Sequence, residues 1–300
     1  MIPGVTSTIH HRGSAAATPR IPLRSWQYMP GPRTAFLAAW DCRLSGFSEN
    51  LGRPVRRLEV ASARVRLVIG FDGPYLLANA SASAPARSCQ AFLIGMGGGA
   101  MTTEHRAAQS CIEVDLPPWA AFSLLDGDPA ALASGLLDLD DLWGPQARLL
   151  AEELNALPSW PACFARVERL LAQRLLAPRR RVDAQVQQAW LAMAQQHGQV
   201  SIEALRQRTG WSGRHFAKRF AAGIGLPPKA AAIRERFAHA HALLSAQPEA
   251  GLADLAALCG YSDQSHLARE FRQFAACTPA AWARAKLPGA LGKPASLVEA

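Results

Sequence analysis

Two stretches near the C-terminal end of the chain space polar side chains as a helix reading base edges would. Leu205 through Gly210 is followed by Trp211 and Ser212, and then by Phe216 and Phe220. Leu255 through Gly260 is followed by Tyr261 and Ser262, and then by Leu267 and Phe271. The second stretch repeats the first at an offset of 50 residues through the turn and 51 after it, and Pro228 and Pro279 keep the offset of 51. One supersecondary unit used twice is implied. In each copy a short helix stops at Gly, an aromatic residue buries itself in the turn, and a Ser or Asp (Ser212; Ser262 or Asp263) caps the next helix. Phe216 with Phe220, and Leu267 with Phe271, lie four apart and so share one core-facing side. Arg214, Ala217 and Lys218 in the first copy then point outward, as do Gln264, Ser265, His266, Ala268 and Arg269 in the second. Arg can fork onto guanine, Gln onto adenine, and Ser or His can serve either edge of the major groove. Lys218, Arg219 and Arg272 are placed for phosphates or bases.

The helices that position these residues follow from the same segment. Periodic apolar residues with Gly, Ser and Pro punctuation predict helices at Asp183–Gln196, Ile202–Thr209, Gly213–Ala222, Pro228–Ser245, Leu252–Leu258, Gln264–Ala275 and Pro279–Ala285. This region is also where the charge resides. Residues 179–300 hold 16 basic against 8 acidic residues, net +8, whereas residues 1–178 hold 16 against 15, net +1. A local excess of this kind suits a polyanion.

The segment Arg236–Ala283, RFAHAHALLSAQPEAGLADLAALCGYSDQSHLAREFRQFAACTPAAWA, resembles the signature region of AraC/XylS-type transcription regulators. The stretch Gly260 to Leu267 and the pair Thr278-Pro279 carry most of the likeness, which extends upstream through SIEALRQRTGWSGRHFAKRFAAGIGLPPKA. The resemblance implies a seven-helix domain whose two recognition helices enter successive major-groove segments of double-stranded DNA. Arg214, Ala217 and Lys218, and Gln264, Ser265, His266 and Arg269, match its base-facing positions. Arg219 and Arg272 join them as DNA contacts. No cofactor and no catalytic residue are implied.

Ahead of this domain the texture is different. Arg64–Ile69, Ala91–Ile94 and Cys111–Leu116 read as short strands between turn residues, which suggests a small β-barrel or sandwich. Ala147–Leu157 and Cys163–Leu176 read as helices. Trp119–Gly144 resembles the end of a β-rich domain found ahead of such DNA-binding domains, where it senses a ligand or mediates dimerisation. The expected fold is therefore α+β and two-domain: a β-rich barrel- or sandwich-like domain with following helices, then an all-α domain of two helix-turn-helix units. The expected division is a disordered tail over 1–20, a regulatory or dimerisation domain over 21–178, a DNA-binding domain over 179–286 and a flexible tail over 287–300. Pro178 to Arg181 reads as the linker. Expected partners are double-stranded DNA, RNA polymerase, a small-molecule effector and a second copy of the chain.

Other chemistries find less support. The six cysteines, at 42, 89, 111, 163, 259 and 277, include no CxxC pair, so a zinc ribbon is excluded and buried free thiols in a reducing cytoplasm are expected. A DNA-directed alkyl-transfer enzyme would need an activated thiol with a base or metal beside it, and no such motif appears. An adaptor acting through the β-rich domain is the other alternative. Glu104-His105 reads as a surface pair, Gly97-Gly98-Gly99 as a flexible turn, and Trp119 and Trp143 as core or interface aromatics. No run of eighteen apolar residues exists and the N-terminus has no apolar signal core, so no membrane partner is expected.

Overall fold

A computed structural model of the chain describes residues 25–80, 85–177, 180–285 and 297–299. The expected tail over 1–20, Pro178 and Arg179 of the linker, and 287–296 and 300 of the expected C-terminal tail fall outside the described residues, whereas 297–299 of that tail form a strand and not a flexible end. The first part comprises β1 (Ser25–Pro30), α1 (Ala35–Ala39), β2 (Arg43–Asn50), β3 (Val55–Glu59), β4 (Val65–Gly70), β5 (Tyr75–Asn79), β6 (Arg87–Cys89), β7 (Ala91–Ile94), β8 (Met101–His105) and β9 (Ala108–Leu116). It continues with α2 (Pro118–Leu124), α3 (Pro129–Ala133), β10 (Leu137–Asp138), α4 (Leu139–Trp143), α5 (Pro145–Ala156) and α6 (Trp160–Leu176). The second part is helical: α7 (Ala184–Gln195), α8 (Ile202–Gln207), α9 (Gly213–Ile224), α10 (Pro228–Ala246), α11 (Leu252–Leu258), α12 (Gln264–Ala275) and α13 (Pro279–Ala285). A last strand, β11 (Leu297–Glu299), pairs with β3.

Two antiparallel sheets form, in the orders β1-β2-β9-β4-β7-β10 and β11-β3-β8-β5-β6. Among the described residues they stay separate, so the sandwich alternative holds and the barrel does not. Alternation decides which face each residue takes. Leu67 and Ile69 of β4 join Ile112, Val114 and Leu116 of β9 in a core shared with Phe164, Val167 and Leu171 of α6. Val68 faces the other way, with Phe47, Tyr75, Phe92 and Met101 between the sheets. Pro117 and Pro118 end β9 and begin α2, because proline cannot donate to the ladder but fits the first turn of a helix.

The space between the sheets corrects the surface reading of Glu104-His105. In β8 the pleat turns Thr103 and His105 inward, and His105 is buried, with Nε2 2.7 Å from Oε1 of buried Glu49. Arg57 pairs with the same carboxylate. Glu49 lies 56 residues from His105, so this partner has no local signature. The glycine run is likewise no loose turn. A Cβ on Gly97 would lie 1.9 Å from the carbonyl oxygen of Ala133, so backbone packs on backbone there. Trp119 is buried and stacks on Trp40 at 5.5 Å, as a core aromatic should. Trp143 lies under the guanidinium of Arg174 at 4.2 Å.

The hydrophobic core does not divide where the chain changes from strand to helix. Phe216, Phe220 and Ile224 of α9 belong to the same cluster as Phe122 and Leu132 of α2 and α3. A separate cluster gathers Phe237, Leu255, Tyr261, Leu267, Phe271 and Trp282 from α10 to α13.

Candidate nucleic-acid interface

Each unit is built by the same local means. The glycines that end the first helices, Gly210 and Gly260, take φ of +69° and +72°, a region that costs glycine little and other residues more. Ser212 Oγ accepts from the His215 N–H at 3.3 Å and caps α9. In the second copy the cap is Asp263, whose Oδ1 accepts from the His266 N–H at 2.7 Å. That hydrogen bond, and secondarily the one from Ser262, holds the Asp263 carboxyl below the usual range, so the cap stays ionised. Ser262, which aligns with Ser212, donates to the Asp263 carboxylate instead. The additional residue of the second copy has thus moved the cap one position along. Tyr261 is buried in its turn, whereas Trp211 is only half-buried and meets His215 edge-on at 4.9 Å.

The apolar stripes bury as their spacing requires. Phe216 and Phe220 are 2% and 0% exposed, and Leu267 and Phe271 are both 0% exposed. On the opposite faces, Arg214, Ala217 and Lys218 of α9 and Gln264, Ser265, Arg269 and Arg272 of α12 are exposed. These two polar faces, with five cationic or amide side chains between Arg214 and Arg272, are what a duplex could meet.

Two expected contacts are engaged elsewhere. Arg219, although exposed, forms an ion pair with Asp183 at the start of α7, at 2.6 Å. His266 is half-buried and edge-on to Tyr261 at 5.2 Å. Its Nδ1 lies 3.2 Å from Ser262 Oγ and its Nε2 lies 3.2 Å from Glu270 Oε1. In this arrangement His266 braces the first turn of α12 rather than facing outward.

Behind the recognition helix lie charged residues absent from the expected contacts. Arg236 of α10 donates to Glu270 Oε1 at 2.6 Å and lies 4.8 Å over the ring of Tyr261. Glu270 is 8% exposed. Its signal was present: Leu267, Glu270, Phe271 and Phe274 form one stripe, and a carboxylate on such a stripe needs a cation on the neighbouring helix. Arg234 sits likewise among Ala231, Phe237, His241 and Leu244 on the apolar side of α10.

At five of the six cysteines burial works against a nucleophilic role. Burial pushes the thiols of Cys42 and Cys89 up to about 12 and those of Cys163 and Cys277 to about 11, and raises Cys259. A nucleophilic cysteine needs the opposite shift. Among the described residues no group of three or more His, Cys, Asp or Glu is placed to hold a metal ion, and no helix is long and apolar enough to cross a membrane.

Residues 205–285 match a helix-turn-helix domain family. No curated protein matches the chain. Among solved structures, ToxT from Vibrio cholerae O395 is similar over 81% of this chain and 97% of its own, at 8% identity and a TM-score of 0.46. The C-terminal domain of AraT, a response regulator from Geobacillus stearothermophilus, is similar over 38% of this chain and 95% of its own, at 16% identity and a TM-score of 0.34. The AraC-like transcriptional activator CuxR is similar over 75% of this chain and 96% of its own, at 16% identity and a TM-score of 0.27.

Proposed function

We propose that this chain, which carries an AraC-type double helix-turn-helix domain over residues 205–285, is a sequence-specific transcription regulator whose two recognition helices read one duplex. The observation that carries this reading is the pair of capped helices, α9 and α12, each burying an apolar stripe and exposing a polar one. Arg214, Ala217 and Lys218 meet one major-groove segment, and Gln264, Ser265 and Arg269 meet the next. Arg272 contacts the backbone, Arg219 does so once released from Asp183, and His266 supports the first turn of α12. The work is done in the cytoplasm, where the buried thiols stay reduced.

In the same reading the β-rich region is a regulatory domain that senses an effector or brings two copies together, with RNA polymerase as the downstream partner. A half-open recess of about 180 Å³, lined by Leu77, Met101, Gly98, Gly99, Gly135 and Leu136, is where a small effector would be sought. The space beside Glu49 and His105 is about 30 Å³, enough for roughly two waters and too small for an organic effector.

The test is selection of bound duplexes from a random pool, followed by footprinting. The expected result is a discrete motif protected over about two helical turns. A pool that shows no enrichment over random competitor DNA refutes the reading.

A further inference from the structure

The first helix-turn-helix unit is fused to the β-rich domain and the second is not. Helices α2 and α3 pack on α9, and their apolar residues share one cluster with it. The second unit has its own cluster, which the N-terminal part enters, among the described residues, through Ala61 with half-buried Val60 beside it. Two sets of hydrogen bonds accompany that entry. The Ala61 N–H donates to the carbonyl of Phe274 near the end of α12, at 2.9 Å. From α10, Arg234 donates to the carbonyl of Ser62 at 3.2 Å and to that of Gly98 at 2.6 Å. Its guanidinium also lies 5.3 Å over the ring of Phe274.

Arg234 is 5% exposed, and no carboxylate pairs with it among the described residues. Burial alone draws its guanidinium down to about 10, so the charge is held at a cost that two carbonyls and one aromatic face offset. A buried charge so dependent on another domain's backbone is satisfied only while the domains are docked. All three contacts approach α10 and α12 from behind, and Gln264, Ser265, Arg269 and Arg272 stay exposed.

We propose that Arg234, with the loops bearing Ser62 and Gly98, is an interdomain latch that fixes the second helix-turn-helix unit against the first unit and the β-rich domain, which share one core, and so sets the register between the two recognition helices. The inference rests on the DNA-binding reading only for its consequence in DNA. Gly98, whose carbonyl accepts from Arg234, is also one of the residues that line the 180 Å³ recess.

The test uses the full chain and the variants Arg234→Met and Ala61→Glu, which break the contact from opposite sides. Backbone hydrogen exchange is read over residues 252–285 and over residues 184–224. The expected result is exchange faster by about tenfold or more in the first segment and unchanged exchange in the second. On the selected duplex, one base pair inserted between the two half-sites should penalise the wild type more than either variant. Wild-type exchange in both folded variants overturns the latch. A wild type that selects no duplex overturns the DNA-binding reading instead, and the exchange result still decides the latch. If one variant fails to fold, the other carries the same comparison.

Discussion

Replacing Arg269 with alanine removes one side chain from the exposed face of α12 and leaves its packing intact. Arg269 lies one turn beyond Ser265, and a helical side chain leans toward the N-terminus, so its guanidinium should extend over Ser265 at the end of the helix proposed to enter the groove. Because the residue is exposed, the cost to folding should stay within about 0.5 kcal/mol, and Tm should move by no more than about 2 °C. A bidentate contact to guanine is worth about 1–3 kcal/mol, which weakens binding to the selected duplex by roughly 5- to 150-fold. Binding to a scrambled duplex should change far less. The assay is fluorescence anisotropy on both duplexes at several salt concentrations. Equal weakening on the two duplexes, with the slope of log K against log salt lowered by about 0.9, would assign Arg269 to a phosphate. No change on either duplex would refute the placement of α12 in the groove.

Phe271 is fully buried and meets Phe237 edge-on at 5.3 Å, so Phe271→Ala should cost about 3–5 kcal/mol, read from urea unfolding, and abolish specific binding. Burial pushes the Glu235 carboxyl on α10 up to about 7, with Arg64, itself paired to Asp41 and Asp115, opposing the shift. Below pH 4.5 the group is neutral folded or unfolded. Between pH 4.5 and 7 only the unfolded chain ionises, so about 3 kcal/mol of stability should be lost as pH rises through that window. Glu235→Gln should flatten that part of the stability–pH curve measured by denaturant titration, and an unchanged slope would disprove the assignment. Exposure of the native protein to alkylated duplex DNA at neutral pH should leave its thiols unmodified by mass spectrometry, because burial opposes thiolate formation at Cys42, Cys89, Cys163, Cys259 and Cys277. A stoichiometric adduct on any of them would restore the alkyl-transfer alternative.

The helices of the C-terminal region lie within one or two residues of the spans expected from periodicity and punctuation. The strands Arg64–Ile69 and Ala91–Ile94 were equally plain, and Cys111–Leu116 forms the later part of β9. What periodicity could not say was which strands pair. Strand β9 lies between β2 and β4, from distant parts of the chain, and alternation within one strand carries no trace of its neighbour. The candidate site divides in the same way. That Arg214, Lys218, Gln264 and Arg269 are exposed follows from the apolar stripes beside them. That Arg219 is held by Asp183, 36 residues away, does not.

By itself, then, the sequence determined two helix-turn-helix units, the Ser212 cap of the first, their core faces and the basic character of the region around them. These depend on contacts within about four residues, which a linear pattern records. Which of Ser262 and Asp263 caps the second unit is a local choice that only the folded structure decides, whereas tertiary structure alone decided that His105 is buried against Glu49 and that Arg234 of α10 donates to loops 136 and 172 residues distant. A buried charge is neutralised by whatever the fold brings beside it, and proximity in space at such separations is a property of the folded chain.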